Sequence, residues 1–117
     1  IWAQLEGAVR GWSSGIDTLY VVTGAMPTTA TDKQIQYAQD NNGKNIAIPK
    51  YYFKALARKV GGNYQTIAFK LDHKAYGDTQ YMKYAISVSE LENMTGFTFF
   101  PSLPSEVKKT LNTSQWN

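Results

Sequence analysis

The chain has 117 residues and a mass of 13.1 kDa, which corresponds to one domain or part of one, with room for a modest core. Hydrophobic residues make up 43% and charged residues 18%, so the composition is that of a folding chain rather than a disordered tail. With no cysteine and one histidine, His73, the sequence excludes disulfide scaffolds, zinc ribbons, thiol nucleophiles and histidine-rich metal centres. No apolar run approaches a membrane span, and the net charge of +3 mildly favours polyanions.

The first residues predict an amphipathic helix. Four apolar residues recur at spacings of three, four and three, which places them on one helical face. They are Trp2, Leu5, Val9 and Trp12. Residues 13–15 (Ser-Ser-Gly) end the helix, but no capping residue precedes it and the chain does not begin with methionine. From this start we expect a fragment or a processed product of a longer protein.

The next segment predicts a strand followed by a long loop. Residues 19–22 (Leu-Tyr-Val-Val) are apolar on both faces, as in strands that are covered on two sides. We therefore expect residues 19–22 to be buried. The polar stretch 25–45 is rich in turn-forming residues and predicts a loop, with one helical turn around residues 34–39.

The middle of the chain predicts a β-hairpin of residues 51–60 with 64–71. The second segment alternates between polar and apolar residues and points Ile67, Phe69 and Leu71 inward. Residues 51–60 alone fit a helical stripe as well as a strand. The sequence Gly61-Gly62-Asn63 between the segments is typical of a tight turn, and it decides for the hairpin.

After the hairpin, residues 81–86 predict another strand and residues 87–96 a short helix. Ser87 and Glu90 have the spacing of a capping box, and Gly96 closes the helix. We expect the three phenylalanines Phe97, Phe99 and Phe100 to be mostly buried.

A final short helix is expected from Ser105, with Val107 and Leu111 on its apolar side. Together these elements predict the α+β class, with a mainly antiparallel sheet flanked by helices.

Basic residues along the predicted hairpin admit two interpretations. Lys50, Lys54 and Arg58 share one face if residues 51–60 are a strand, so they could contact phosphates without reading bases. An ordinary solvated edge, where lysine also discourages strand pairing, is the favoured interpretation.

Other polar residues are interpreted as structural. Glu90 and Glu92 are two apart on a short helix and point to different sides, which does not suit a pair of catalytic carboxylates. His73 lies between charged residues in a predicted turn, so we expect a surface histidine.

Several motifs, in this order and at these spacings, resemble the C-terminal half of the DNA/RNA non-specific endonucleases. The resemblance covers residues 1 to about 104, and its most specific parts are the first and the last motif. The motifs are Trp2-x-x-Leu5-Glu6-x-x-x-Arg10, Leu19-Tyr20-Val21-Val22-Thr23-Gly24, Ile46-Ala47-Ile48-Pro49, Phe53-Lys54, Ala68-Phe69, Ser87-Val88-Ser89-Glu90-Leu91 and Glu92-x-x-Thr95-Gly96-Phe97-x-Phe99-Phe100-Pro101.

The resemblance implies a ββα-metal nuclease that hydrolyses phosphodiester bonds in DNA and RNA with one divalent cation, usually Mg²⁺. The family's general base is the histidine of an Asp-Arg-Gly-His motif, and an asparagine upstream of the opening helix binds the metal. This sequence contains no such histidine motif, and His73 does not match the base. We therefore expect residues 1–117 to be the C-terminal portion of a single endonuclease domain that is inactive alone.

Glu6 and Arg10 match the family's helix. In the family the glutamate helps to hold water that is bound to the metal, so it contacts the metal only through water. The arginine lies near the scissile phosphate. With Lys50 and Lys54, Arg10 is also expected to contact nucleic acid. Without the resemblance, Glu6 and Arg10 would be read as a surface ion pair one helical turn apart.

The expected partners are DNA and RNA, the missing N-terminal half, and a second copy in a homodimer, but no membrane. The absence of cysteine suggests a secreted or periplasmic bacterial protein. The alternative function is an inactive domain that keeps the nuclease fold and binds nucleic acid or protein.

Overall fold

A long antiparallel hairpin forms the centre of the fold in the computed structural model, which describes residues 1–16 and 18–116. Strand β4 (Tyr51–Val60) pairs with β5 (Asn63–Asp72) along its whole length, from Tyr51 opposite Asp72 to Val60 opposite Asn63. Gly61 and Gly62 both have positive φ and make the turn, which confirms the predicted hairpin.

Two more strands extend the hairpin into a four-stranded antiparallel sheet of order β1-β4-β5-β6. Strand β1 (Leu19–Met26) lies beside β4, and the two-residue strand β6 (Ala85–Ile86) lies beside β5. A second sheet contains only β2 (Tyr37–Gln39) and β3 (Asn45–Ala47), which pair with each other.

Helices cover both faces of the larger sheet, which confirms the α+β class. They are α1 (Trp2–Trp12), a 3₁₀ helix at Tyr81–Tyr84, α2 (Val88–Thr95), α3 (Ser105–Lys109) and a 3₁₀ helix at Thr113–Trp116. None of the helices in the described part of the chain is long and apolar enough to span a membrane.

Alternation along β4 and β5 creates two separate cores. One face carries Leu56, Ile67, Phe69 and Leu71, which pack with Leu5 of α1 and with Trp116. The other face carries a second buried cluster under α2. Its members are Tyr51, Phe53, Ala55, Ala68, Val88, Leu91 and Phe99. Ile67, Phe69 and Leu71 therefore point inward as predicted.

The prediction that residues 19–22 are buried is wrong. They lie in β1, but Tyr20, Val21 and Val22 are 57%, 40% and 39% exposed. The physical reason is position, because β1 has only β4 as a neighbour and lies at the edge of the sheet. Close contact to β4 occurs at Gly24, where a Cβ atom would stand 2.5 Å from the ring of Phe53.

Two local predictions of secondary structure are also wrong. The predicted helical turn at residues 34–39 is extended and includes β2, because pairing with β3 satisfies its backbone. The predicted strand at residues 81–86 is a 3₁₀ turn followed by only two strand residues. Tyr81, Met82 and Tyr84 use this turn to pack on the core beneath α1.

Helix α2 has the predicted ends. The Ser87 hydroxyl accepts from the backbone N–H of Glu90 at 3.1 Å, and Gly96 closes the helix with φ of 78°. Phe99 is buried and Phe100 half-buried, but Phe97 is 52% exposed, against the prediction. Helix α3 begins at Ser105 as predicted, although it ends before Leu111, which is exposed.

Candidate functional site

Helix α1 places the predicted site residues at the surface. Leu5 is fully buried, while Trp2, Val9 and Trp12 pack partly buried on the same core, as their spacing predicts. Glu6 and Arg10 are exposed. The apolar stripe thus fixes the helix on the sheet and leaves both polar side chains accessible to a ligand.

Glu6 and Arg10 do not form the ion pair that their spacing permits. Among residues 1–16 and 18–116, no carboxylate lies within 4.0 Å of the Arg10 guanidinium. The guanidinium instead folds back over Gly7, where Nη2 lies 3.6 Å from the position of an added Cβ atom. The interpretation as a simple surface pair therefore fails.

Lys54 lies beneath α1 rather than on a solvated edge. Its residue is only 5% exposed, and its Nζ donates a hydrogen bond to Thr23 Oγ1 at 3.0 Å. The ammonium lies 4.6 Å from the centroid of the Trp2 ring, which is cation–π geometry. Burial lowers the pKa of Lys54, and the nearby charge of Glu6 raises it in part.

Arg58 is buried on the same face of β4, also against the interpretation as a solvated edge. Its guanidinium stacks 3.9 Å from the Trp116 ring. It donates to Gln65 Oε1 at 3.0 Å and to the carbonyl of Gln115. These contacts hold the C-terminal segment, so Arg58 has a structural role.

Lys50 precedes β4 and lies apart from this row. Its Nζ is 2.9 Å from Asp32 Oδ2, and this hydrogen bond is the main reason that the pKa of Asp32 is lowered. The structure thus brings Glu6, Arg10 and Lys54 to α1 and its underside, while Lys50 anchors the segment before β2.

The remaining candidates have structural partners. Glu92 Oε2 accepts from the backbone N–H of Phe99 at 2.9 Å and from Lys108 Nζ at 3.0 Å. Glu90 belongs to the cap of α2, as predicted. His73 is exposed, and its Nδ1 lies 2.8 Å from the carbonyl oxygen of Pro49.

Two residues beside Lys54 were not singled out as site residues from the sequence. Thr23 accepts its hydrogen bond, and Trp2 covers it. Trp2 was assigned only to the apolar stripe. The strand register would have identified Thr23 as a partner of Lys54, because the two residues lie opposite each other in β1 and β4. The sequence alone does not show this register until the two strands are aligned.

Comparison with known proteins identifies the family. The model of the DNA/RNA non-specific endonucleases matches residues 1–106. The chain belongs to this family. The mitochondrial nuclease EXOG of Mus musculus is 30% identical over 111 residues, and the human protein is 29% identical over 110. Both alignments cover 87% of this chain and 30% of the relative.

A yeast relative extends the comparison. Mitochondrial Nuclease 1 of Schizosaccharomyces pombe is 24% identical over 119 residues, covering 94% of this chain and 37% of that protein. The chain therefore spans about a third of the length of these members of the endonuclease family.

The relatives correct the expected compartment. The nucleases of mouse, frog, human and fission yeast are all named as mitochondrial. The prediction of a secreted or periplasmic bacterial protein is wrong. It rested on the absence of cysteine, which is equally compatible with many compartments because it reports only that no disulfide is needed.

Endonucleases of this family depend on a metal, so the described residues can be tested for a fit. They contain no cluster of three or more His, Asp or Glu side chains that could hold an ion. Hard divalent cations take several oxygen ligands, and Glu6 is a single exposed carboxylate. The acidic residues and the histidine in the described part of the chain therefore supply too few neighbouring ligands to enclose such a cation by themselves.

Proposed function

We propose that residues 1–117 are the C-terminal portion of a single endonuclease domain. The complete domain hydrolyses phosphodiester bonds in both DNA and RNA, without regard to the sugar. The observation that carries the proposal is the family match over residues 1–106 together with the exposed Glu6 and Arg10 on α1. The apolar stripe of α1, packed on the core, supports the proposal, because a site on a well-packed helix keeps its geometry.

Arg10 is the phosphate-binding residue of the proposal. An exposed guanidinium can form two parallel hydrogen bonds with phosphate oxygens and stabilise the charge that develops there during hydrolysis. Lys50 and Lys54 are assigned secondary contacts with nucleic acid, because each ammonium already has a protein partner.

Glu6 is proposed to accept hydrogen bonds from water on a divalent cation, Mg²⁺ or a similar ion. The cation would supply Lewis-acid stabilisation of the phosphate. Because no Asp-Arg-Gly-His motif occurs in the sequence, the proposal expects the 117-residue chain to be inactive without a general base from a further segment. A homodimer remains part of the proposal.

Replacing Arg10 by alanine in the full-length protein that contains this chain tests the proposal. We expect turnover on DNA and on RNA to fall more than tenfold, because one charge-stabilising donor is lost. The measurement is initial-rate cleavage with Mg²⁺. Lys109→Ala removes another exposed positive charge, on α3, and should keep the original rate. Near-original activity of the Arg10 variant would remove this residue from the site.

The second candidate is an inactive domain that binds nucleic acid or protein. It is favoured by the absence of a metal-ligand cluster within the described residues. Two results together would support this candidate. The full-length protein would bind duplex DNA with an affinity that weakens as salt is added, and it would not cleave the DNA with any divalent metal ion.

A further inference from the structure

Strand β1 leaves one edge of the main sheet open in the described part of the chain. Within residues 1–16 and 18–116 it pairs only with β4, so its other edge presents unpaired backbone groups along eight residues. The opposite edge of the sheet is formed by β6, which has only two residues. A short edge strand is one way to prevent pairing with further strands, whereas a long edge strand invites such pairing.

The sequence of β1 lacks the residues that usually protect an edge. Its eight residues, Leu-Tyr-Val-Val-Thr-Gly-Ala-Met, include no charged residue and no proline. Charged side chains, lysine above all, and proline are the common means of protection. The β-branched and aromatic residues at positions 20–23 instead favour strand pairing. The composition is therefore that of a strand inside a sheet.

Side chains of β1 are exposed on both faces of the sheet. Val21 lies opposite Leu56, a member of the core beneath α1, and is 40% exposed. Val22 lies opposite Ala55, a member of the core beneath α2, and is 39% exposed. Each core thus ends at β1 with an uncovered valine, and a cover over β1 would extend both cores.

The apolar surface continues beside Tyr20 on the α2 face. Tyr20 is 57% exposed and borders an open cavity of about 190 Å³. The other apolar and aromatic residues that line this cavity are Ala57, Tyr64, Phe100 and Leu103. Exposed apolar surface beside an open strand edge indicates an interface rather than a solvated face.

We propose that β1 is an interior strand of the complete domain, paired along its free edge with a strand from the rest of the same polypeptide. This proposal rests on the proposed function, in which residues 1–117 are only the C-terminal portion of the domain. The aligned segment makes up 30% of the mouse and human relatives. The remainder of a protein of that length can supply both a strand and a cover for the two faces.

A second copy of the chain fits this edge less well. Pairing of β1 with β1 of another copy would satisfy the backbone at the edge. The exposed side chains on the two faces would stay uncovered, because α1 and α2 of that copy already pack on the cores of its own sheet. A cover from the rest of the polypeptide closes the edge and both faces together.

Hydrogen exchange of the full-length protein that contains this chain tests the pairing. An edge strand protects about every second amide, because the alternate amides point away from its one neighbour. We expect nearly all amides of residues 19–26 to be protected when exchange is measured residue by residue by mass spectrometry with electron-transfer fragmentation. The exposed strands β2 and β3 serve as the internal reference. Alternate amides of β1 that exchange as fast as the unpaired amides of this reference would overturn the proposal.

Photo-cross-linking identifies the source of the covering strand. A p-benzoylphenylalanine in place of Tyr20 puts a reactive ring at the exposed position, and an equal mixture of ¹⁴N- and ¹⁵N-labelled full-length protein is irradiated. We expect cross-linked peptides that join β1 to a segment outside residues 1–117 and carry a single isotope. Peptides that carry both isotopes would assign the edge to a second copy, and links confined to residues 1–117 would show no other segment there. Either result would overturn the proposal.

Lysine substitutions test the cover on each face. Val21→Lys and Val22→Lys should each lower the melting temperature of the full-length protein by more than about 5 °C, because each buries an unpaired charge. Ile46→Lys, at a residue of β3 that is 53% exposed, is the control and should change the melting temperature by less than about 1 °C. Shifts as small as that of the control at both β1 positions would contradict the proposal.

A nuclease assay on the same full-length protein separates this proposal from the proposed function. Cleavage of DNA with Mg²⁺ by a protein whose β1 amides exchange alternately would keep the endonuclease and overturn the pairing. Protected β1 amides in a protein that cleaves neither DNA nor RNA with any divalent cation would keep the pairing and refute the endonuclease.

Discussion

At the scale of single residues, three basic side chains of this fold are buried, and each has an oxygen acceptor. Lys54, Arg58 and Lys108 are 5%, 9% and 7% exposed, and each donates to an oxygen acceptor. Such charges are tolerated in an interior only when their hydrogen bonds are satisfied. The charges of Arg58 and Lys108 thus stabilise the structure and are withdrawn from any phosphate-binding surface.

Tyr51 presents the opposite case. It is 2% exposed, and its hydroxyl has no hydrogen-bond partner within residues 1–16 and 18–116. Burial raises the pKa of Tyr51, and the positive charge of Lys70, whose Nζ lies 5.0 Å from the ring centroid, lowers it in part. The folded state therefore favours the neutral phenol.

Replacing Tyr51 by phenylalanine should increase the free energy of unfolding by about 1 kcal/mol, because an unsatisfied buried hydroxyl is removed while the ring stays over Lys70. The measurement is urea denaturation. Tyr64→Phe, at an exposed tyrosine of the same hairpin, should change stability little. A loss of stability in the Tyr51 variant would show that the hydroxyl has a partner.

The same variant should change the alkaline stability profile. A raised pKa means that the folded state retains a proton that the unfolded state releases, so stability falls as pH rises above about 10. The phenylalanine variant should lose less stability than the original protein over this range. Parallel curves for the two proteins would contradict the burial of this phenol.

At the scale of elements, the C-terminal segment fastens α1 to the sheet. Trp116 is 1% exposed and packs against both the Arg58 guanidinium and the Trp12 ring, with centroids of the two indoles 5.3 Å apart. Trp12 Nε1 also donates to the Trp116 carbonyl at 2.6 Å. This segment lies beyond residue 106, where the family match ends, yet it stabilises the helix that carries the site.

Trp116→Ala should therefore lower the free energy of unfolding by about 3–5 kcal/mol, the usual cost of deleting a large buried aromatic side chain. Chemical denaturation followed by far-ultraviolet circular dichroism measures the change. Leu111→Ala, in the same segment but 41% exposed, is the matched control and should have little effect. Similar losses for both variants would mean that the segment contributes general burial rather than a specific contact.

The whole molecule is elongated. Its principal extents are 51 × 27 × 25 Å and its radius of gyration is 15.6 Å, whereas about 13.4 Å is typical of a compact domain of this length. Every residue of β2 and β3 is exposed, and the two strands pair with each other. This small hairpin is therefore an arm that the two cores do not need.

Replacing residues 37–47 by an Asn-Gly turn should leave the main sheet intact. The ends of the deletion already meet, because the Ile48 N–H donates to the Gln36 carbonyl at 2.7 Å. We expect the free energy of unfolding to change by less than about 1 kcal/mol and the radius of gyration from small-angle X-ray scattering to decrease. Loss of cooperative unfolding would show that the arm supports the cores.

Local sequence patterns were sufficient to predict those elements that depend on residues close together in the sequence. The stripe of α1, the turn at Gly61 and Gly62, and the cap at Ser87 each depend on residues within a few positions of one another. The motif spacing likewise sufficed for the family, confirmed by the match over residues 1–106. The spacing of motif residues is visible in a sequence because it follows the repeat of a helix turn or of a strand.

Tertiary structure decided which faces of those elements meet. The run at residues 19–22 has the composition of a covered strand, but the order of the sheet places it at an edge. Lysine is usually a surface residue, so the sequence favours an exposed Lys54. In the fold β1 pairs with β4 and α1 packs on the sheet, which buries the Lys54 ammonium beside Thr23 and Trp2. Burial and partnership depend on contacts between residues distant in sequence, and only the folded chain brings those residues together.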